Sequence, residues 1–158
     1  MTKKDLYTAS IREISVRLGK GGDLIADLGN VAAVLNKRLD FYWIGFYFLR
    51  DDKLVLGPFQ GTPACVYLTC GRGVCGTVAE KNETLRVDDV HAFEGHVACD
   101  PTSRSEIVVP CFDSEGRLRA VLDVDSDKPG HFDSIDQEAL ETVAGMLTEL
   151  WPTMTEGT

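Results

Sequence analysis

Four of the five cysteines, Cys65, Cys70, Cys75 and Cys99, fall between Pro63 and Pro110, together with the glycines of GRGVCG (71–76) and the run DVHAFEGHVACDPTSRSEIVVP (89–110). A core can replace cysteine with alanine or valine, so several cysteines beside glycine turns and His, Asp and Glu residues point to thiol chemistry, metal ligation or disulfides. These three differ in what else the chain must supply.

Composition narrows the choice. The chain has 158 residues, 44% of them hydrophobic, which predicts one globular domain over 1–158 that buries roughly 70% of its unfolded surface. There is no run of about 20 apolar residues that could span a bilayer. The start, MTKKDLYTASIREI, is polar and amphipathic rather than a secretory leader, so a reducing, cytoplasmic setting is expected. An odd number of cysteines also argues against a purely structural disulfide framework. The net charge is −9 and there is no basic run, which excludes nucleic acid and acidic membrane surfaces as partners and leaves a small molecule or a protein.

The reactive segment needs elements to hold it. Leu6, Ile11, Ile14 and Leu18 recur at helical spacing, GKGGD breaks the pattern, and Leu24, Leu28, Val31, Leu35 and Leu39 resume it, which predicts two antiparallel helices. FYWIGFYFL, the polar pair Asp51-Asp52 and KLVLGPF read as a hairpin. A third strand is expected over Ala64–Thr69, a short helix over Val74–Lys81, and a strand at TLRV. His91–Arg104 reads as a long loop. SEIVVPCFD and RLRAVLDVDS form a second hairpin around Ser114-Glu115-Gly116. Ser134 is expected to open the last helix with Gln137 as its capping-box partner, and with Ile135, Leu140, Val143, Leu147 and Leu150 as the buried stripe. The predicted class is α+β: a mostly antiparallel sheet with terminal helices on one face and loops and ligand on the other.

Each motif has a bland reading beside its chemical one. GRGVCG matches a dinucleotide-binding glycine pattern, but the helix after it is too short for a βαβ crossover among antiparallel strands, so the glycines shape a turn. That places Cys75 in the first turn of a helix, where the dipole lowers a thiol's pKa; simple packing is the alternative. His91, His96, Cys99 and Asp100 have the chemistry of metal ligands without the spacing, and no metal or other cofactor is expected. Asp123 and Asp125, two apart on a strand, leave one face while Leu122 and Val124 take the other. On a solvated face they are ordinary acids; in a pocket, with Glu106 from the neighbouring strand, they would share protons and attract a cation. Trp43 and Tyr47 also share a face, either as core or as an apolar wall for a sulfur methyl group or a cation.

The order FYWIGFY, LVLGPFQG, GRGVCG, DVHAFEGHVACD, SEIVVP, LDVDS and HFDSIDQEAL resembles the free methionine-(R)-sulfoxide reductases, enzymes built on one GAF domain, over roughly Leu28 to Leu147. The resemblance implies that Cys99 is the nucleophile, Cys75 the resolving thiol and Cys65 an additional partner. It also implies that Glu106, Asp123 and Asp125 form an acidic pocket and Trp43 and Tyr47 its aromatic wall. The partners it implies are free methionine sulfoxide and thioredoxin, and a homodimer is compatible with it. A redox- or small-molecule-sensing module without turnover is the alternative; it has no need of three cysteines on that pattern, and the 158 residues hold no output domain. Cys70 and Cys111 fall outside the pattern. A Cys70→Ala, Cys111→Ala double variant is therefore expected to keep thioredoxin-coupled turnover near wild type, and slower recycling at an unchanged first turnover would contradict this.

Overall fold

Strict alternation along three strands divides the molecule. Ile44, Phe46, Ile107, Val109, Cys111, Ala120, Leu122 and Val124 point to one side of the sheet, and Trp43, Tyr47, Val108 and Val121 to the other. The computed structural model describes residues 1–20, 22–96 and 99–152; Gly21 of the GKGGD break, and Val97 and Ala98 of HVACD, lie outside them. The elements are α1 (Lys3–Arg17), α2 (Leu24–Leu39), β1 (Trp43–Arg50), β2 (Lys53–Gln60), β3 (Tyr67–Thr69), α3 (Gly73–Lys81), β4 (Leu85–Val87), β5 (Ser105–Phe112), β6 (Leu118–Ser126) and α4 (Ser134–Met146), with single 3-10 turns at Val90–Ala92 and Thr148–Leu150. The six strands are ordered β3-β2-β1-β6-β5-β4, and every neighbouring pair is antiparallel. Among the described residues, no helix is long and apolar enough to cross a membrane.

The first side of the sheet is covered by α1, α2 and α4, whose Ile14, Leu28, Leu35 and Leu140 are all at most 1% exposed, as is Leu147 at the C-terminal cap of α4. Burying one such side chain contributes roughly 1.5–3 kcal/mol, so this layer fixes the register of β1, β5 and β6. A one-residue slip would turn every side chain to the wrong face. The short α3 packs on the opposite side, through Val74, Cys75 and Val78. It is the one α-helix that departs from the expected single helical layer. Gly76 lets it approach β3, because a Cβ there would strike the carbonyl of Thr69.

A strand start and a helix cap depart most from the sequence reading. The third strand begins at Tyr67 rather than Ala64, because carbonyls upstream are taken by β1 side chains: Trp43 Nε1 donates to Thr62 O at 3.0 Å and the Tyr47 hydroxyl to Cys65 O at 2.9 Å. The cap of α4 is Asp133, with Asp136 rather than Gln137 completing the capping box. An aspartate caps as well as a serine does, and it stands one position earlier. Ile135, expected in the buried stripe, is 37% exposed instead, because it stands five positions from Leu140, which turns it away from that face.

Asp136 also joins the chain ends. Fully buried, it accepts from the Tyr7 hydroxyl at 2.6 Å, Lys3 Nζ at 2.7 Å and the Asp133 N–H at 2.9 Å. Asp136→Ala leaves the buried Tyr7 hydroxyl unpaired, and the expected loss is about 3 kcal/mol in denaturant unfolding. A loss within experimental error would refute this role.

Candidate functional site

The pairing of β5, β6 and β1 builds the site row by row. Glu106 lies opposite Asp125, and Asp125 opposite Trp43; in the next row Val108 faces Asp123, and Asp123 faces Gly45. Directly opposed Cβ atoms on one face stand about 4.5–5.5 Å apart, so three carboxyl groups and an indole crowd one patch. Gly45 is required there, since a Cβ would lie 2.6 Å from Trp43 Cη2. Trp43 then stacks between Tyr47 and Phe59, at centroid distances of 6.0 and 5.3 Å.

This patch floors a cavity of about 70 Å³ that Cys75, Cys99, Asp100, His96 and Arg72 also line. Glu106 is 7% and Asp123 6% exposed. Burial pushes Glu106 and Asp125 well above the usual carboxyl range, and the charge of Asp123 raises both further. Asp123 is also raised by burial, although the proximity of Glu106 and Cys75 opposes the shift. The face is therefore a pocket, and its acids hold protons well above the pH at which an exposed carboxyl loses them.

Cys75 occupies the first turn of α3, as expected, but its thiol is not activated. Burial raises its pKa well above normal, and Asp123 and Glu106 add to the effect; desolvation and like charge outweigh the helix dipole. Its Sγ–H donates to Glu106 Oε2 at 3.8 Å. Cys99 is instead joined to Cys65 by a disulfide, with Cα atoms 5.6 Å apart. The resemblance put both Cys75 and Cys65 beside Cys99; here the sulfur bonded to Cys99 is that of Cys65, and Cys75 is free beneath the pocket. Cys111 lies in the helix-side core with its pKa raised to about 12 by burial, and Cys70 is half-buried near the end of β3.

Side-chain tethers hold the two bonded loops. Besides the Tyr47 bond to Cys65 O, Asp100 accepts from the Tyr42 hydroxyl at 2.6 Å, the Thr62 hydroxyl at 2.9 Å and the Thr102 N–H at 2.9 Å. The Tyr42 bond leads in holding Asp100 below the usual carboxylate range. Sequence reasoning missed Tyr42, Thr62 and this role of Asp100, because no spacing links residues 42, 62 and 100. His91 and His96 meet edge to face at 5.8 Å. Of the four residues weighed as metal ligands, Asp100 and Cys99 are thus engaged otherwise. Donor atoms that do converge, within 4.8 Å of one another, belong to Cys75, Glu106 and Asp123.

Comparison with known proteins places this geometry. Residues 23–149 match the model of the GAF domain. The chain is 42% identical over 154 residues to the free methionine-R-sulfoxide reductase of Escherichia coli, an alignment covering 97% of this chain and 93% of that one. It superimposes with a TM-score of 0.90 on a free methionine-R-sulfoxide reductase from Neisseria meningitidis solved in complex with its substrate, at 43% identity over 94% of this chain and 89% of the other. A putative GAF sensor protein from Burkholderia vietnamiensis is as similar, with a TM-score of 0.91 and 43% identity over 94% and 95% of the two chains.

The raised acids have a thermodynamic signature. Their folded pKa values exceed the unfolded values of about 4, so the folded state binds protons more tightly. Stability is then greatest below about pH 4 on this account and falls as pH rises through the raised values. Glu106→Gln and Asp125→Asn should each flatten that fall in melts recorded from pH 4 to 8. At pH 8 each should raise stability by about 1 kcal/mol, or about 2–4 °C in Tm; a lowered Tm would contradict the assignment.

Proposed function

The chain belongs to the GAF-domain family of free methionine-R-sulfoxide reductases, and from that premise we propose that it reduces free L-methionine-(R)-sulfoxide to methionine, with Cys99 as nucleophile. The observation that carries this reading is a disulfide between Cys65 and Cys99 at the edge of a pocket floored by crowded carboxyl groups, whose hold on protons burial strengthens. Sulfoxide reduction needs both halves, because the sulfur becomes electrophilic only as its oxygen takes a proton.

The Cys99 thiolate attacks the sulfoxide sulfur while a carboxyl group protonates the departing oxygen. Asp125 is the donor assigned here, because it stands on the side of the acid patch next to Ser103 and Asp100, toward the Cys99 loop. Oxygen passes to Cys99 as a sulfenic acid and methionine leaves. The Cys65 thiol then condenses with the sulfenic acid, forming the disulfide and releasing water. An external dithiol, thioredoxin in this reading, exchanges with the disulfide and restores both thiols. A reducing cytoplasm suits that last step.

Recognition follows from charge. The substrate ammonium sits against Glu106 and Asp123, its carboxylate reaches Arg72 at the start of α3, and the methyl sulfoxide lies on Trp43 and Tyr47. A peptide-bound methionine sulfoxide lacks the ammonium and would leave buried acids unpaired, a mismatch that costs orders of magnitude in kcat/KM.

Assaying both epimers and a methionine-sulfoxide peptide with thioredoxin tests the activity, and steady turnover separates it from a single stoichiometric oxidation of a sensor. Only the free R epimer should turn over. Cys99→Ser should abolish methionine release, whereas Cys65→Ser should release one equivalent and then stall. Cys75→Ser should keep thioredoxin-dependent cycling, and loss of recycling in that variant alone would return the resolving role to Cys75. In Asp125→Asn the decline of kcat with rising pH, caused by loss of the donor proton, should disappear together with most of the rate.

A further inference from the structure

Cys75 is a buried thiol that the reaction above does not consume. Its Sγ stands 3.8 Å from Glu106 Oε2, and a carboxylate oxygen of Asp123 lies within 4.8 Å of both. All three residues are at most 7% exposed, and Asp123 Oδ1 finds no hydrogen-bond partner among the described residues. We propose that Cys75, Glu106 and Asp123 form a site for a thiophilic divalent cation, zinc foremost, which excludes the substrate's ammonium group. The exclusion rests on the reductase reading; the cation site does not.

The ligand set and its spacing suit zinc. A thiolate sulfur at about 2.3 Å and carboxylate oxygens at about 2.0–2.2 Å from a tetrahedral ion stand about 3.6 Å apart, so the sulfur-to-oxygen separation already present is nearly the edge of that tetrahedron. Small side-chain rotations bring in the Asp123 oxygen, and water completes the four. Calcium and magnesium favour all-oxygen sites, so the thiol selects against them. Binding forms one sulfur–metal and two oxygen–metal bonds and releases to solvent the Cys75 thiol proton and whatever protons Glu106 and Asp123 hold, with no change of oxidation state. Three anionic ligands around a dication leave one negative charge, against two when a single ammonium occupies the fully ionised site. A cation with lone-pair acceptors on every side therefore competes well with the substrate.

Cobalt is the probe. The oxidised protein is used, because the closed Cys65–Cys99 disulfide withdraws those two sulfurs as ligands. Cobalt(II) should produce a near-ultraviolet thiolate-to-metal band in wild type and in the Cys70→Ala, Cys111→Ala variant. It should be lost in Cys75→Ser and Cys75→Ala, and Asp123→Asn should weaken cobalt affinity about tenfold or more. Thermal melts of each variant confirm that it is folded. Zinc should displace the cobalt, and so should free methionine at high concentration. No band in wild type, or a band retained in both Cys75 variants, overturns the site; cobalt that methionine fails to displace overturns the exclusion. The binding is read without turnover, so an inactive reductase leaves the cation site standing, and a missing band leaves the reductase reading standing.

Discussion

Crowding three carboxyl groups, two of them buried and one half-buried, on one patch of sheet is the constraint to which the rest of this protein answers. Glu106, Asp123 and Asp125 sit in adjacent positions of β5 and β6, with Arg72 the one lysine or arginine among the described residues that line their pocket. Like charges out of water are strongly unfavourable, so the acids retain protons and the substrate-free fold bears their cost. The offset comes from the other side of the same strands, where Ile107, Val109, Leu122 and Val124 are locked against three helices. A strand cannot turn its acids outward without turning those residues outward too.

That constraint also separates binding from chemistry. The binding half stands on strands whose register is pinned by the core, and its geometry does not depend on the thiols. The reactive half stands on two loops, around Cys65 and Cys99, which no ladder holds. Tyr42, Trp43, Tyr47 and Asp100 do the holding instead, through hydrogen bonds from the first strand region to both loops. On the proposed mechanism, a patch of acids fixed by the core is thereby paired with two tethered loops whose cysteines make and break a covalent bond.

The sequence carried the strand half of this well. Period-two alternation put Asp123 and Asp125 on one face and Leu122 and Val124 on the other, and the hairpin placed Glu106 beside them. Whether that face met solvent was not legible, since alternation looks the same over water and over a pocket. The state of the Cys75 thiol stayed open between activation and packing for a related reason. Its place in a helix's first turn can be read from GRGVCG, but its depth and its acidic neighbours, 31 and 48 residues away, cannot, and these decide its pKa. The choice of Cys65 as the partner of Cys99 likewise depends on two loops meeting across 34 residues of chain. The cap of α4 failed differently: Asp133 and Ser134 are both good caps, and local pattern cannot rank them.

The Cys65–Cys99 bond has an effect on the chain as a polymer. Closing a loop of that span removes about 3–4 kcal/mol of conformational freedom from the unfolded ensemble on a chain-entropy account. The oxidised protein has that reserve against unfolding and the reduced protein lacks it. On the proposed cycle, the state that awaits substrate is thus the one most open to transient unfolding and to proteases. An amino-acid ligand bound among the acids as proposed would restore part of the margin by mass action, tying the enzyme's lifetime to the supply of what it reduces.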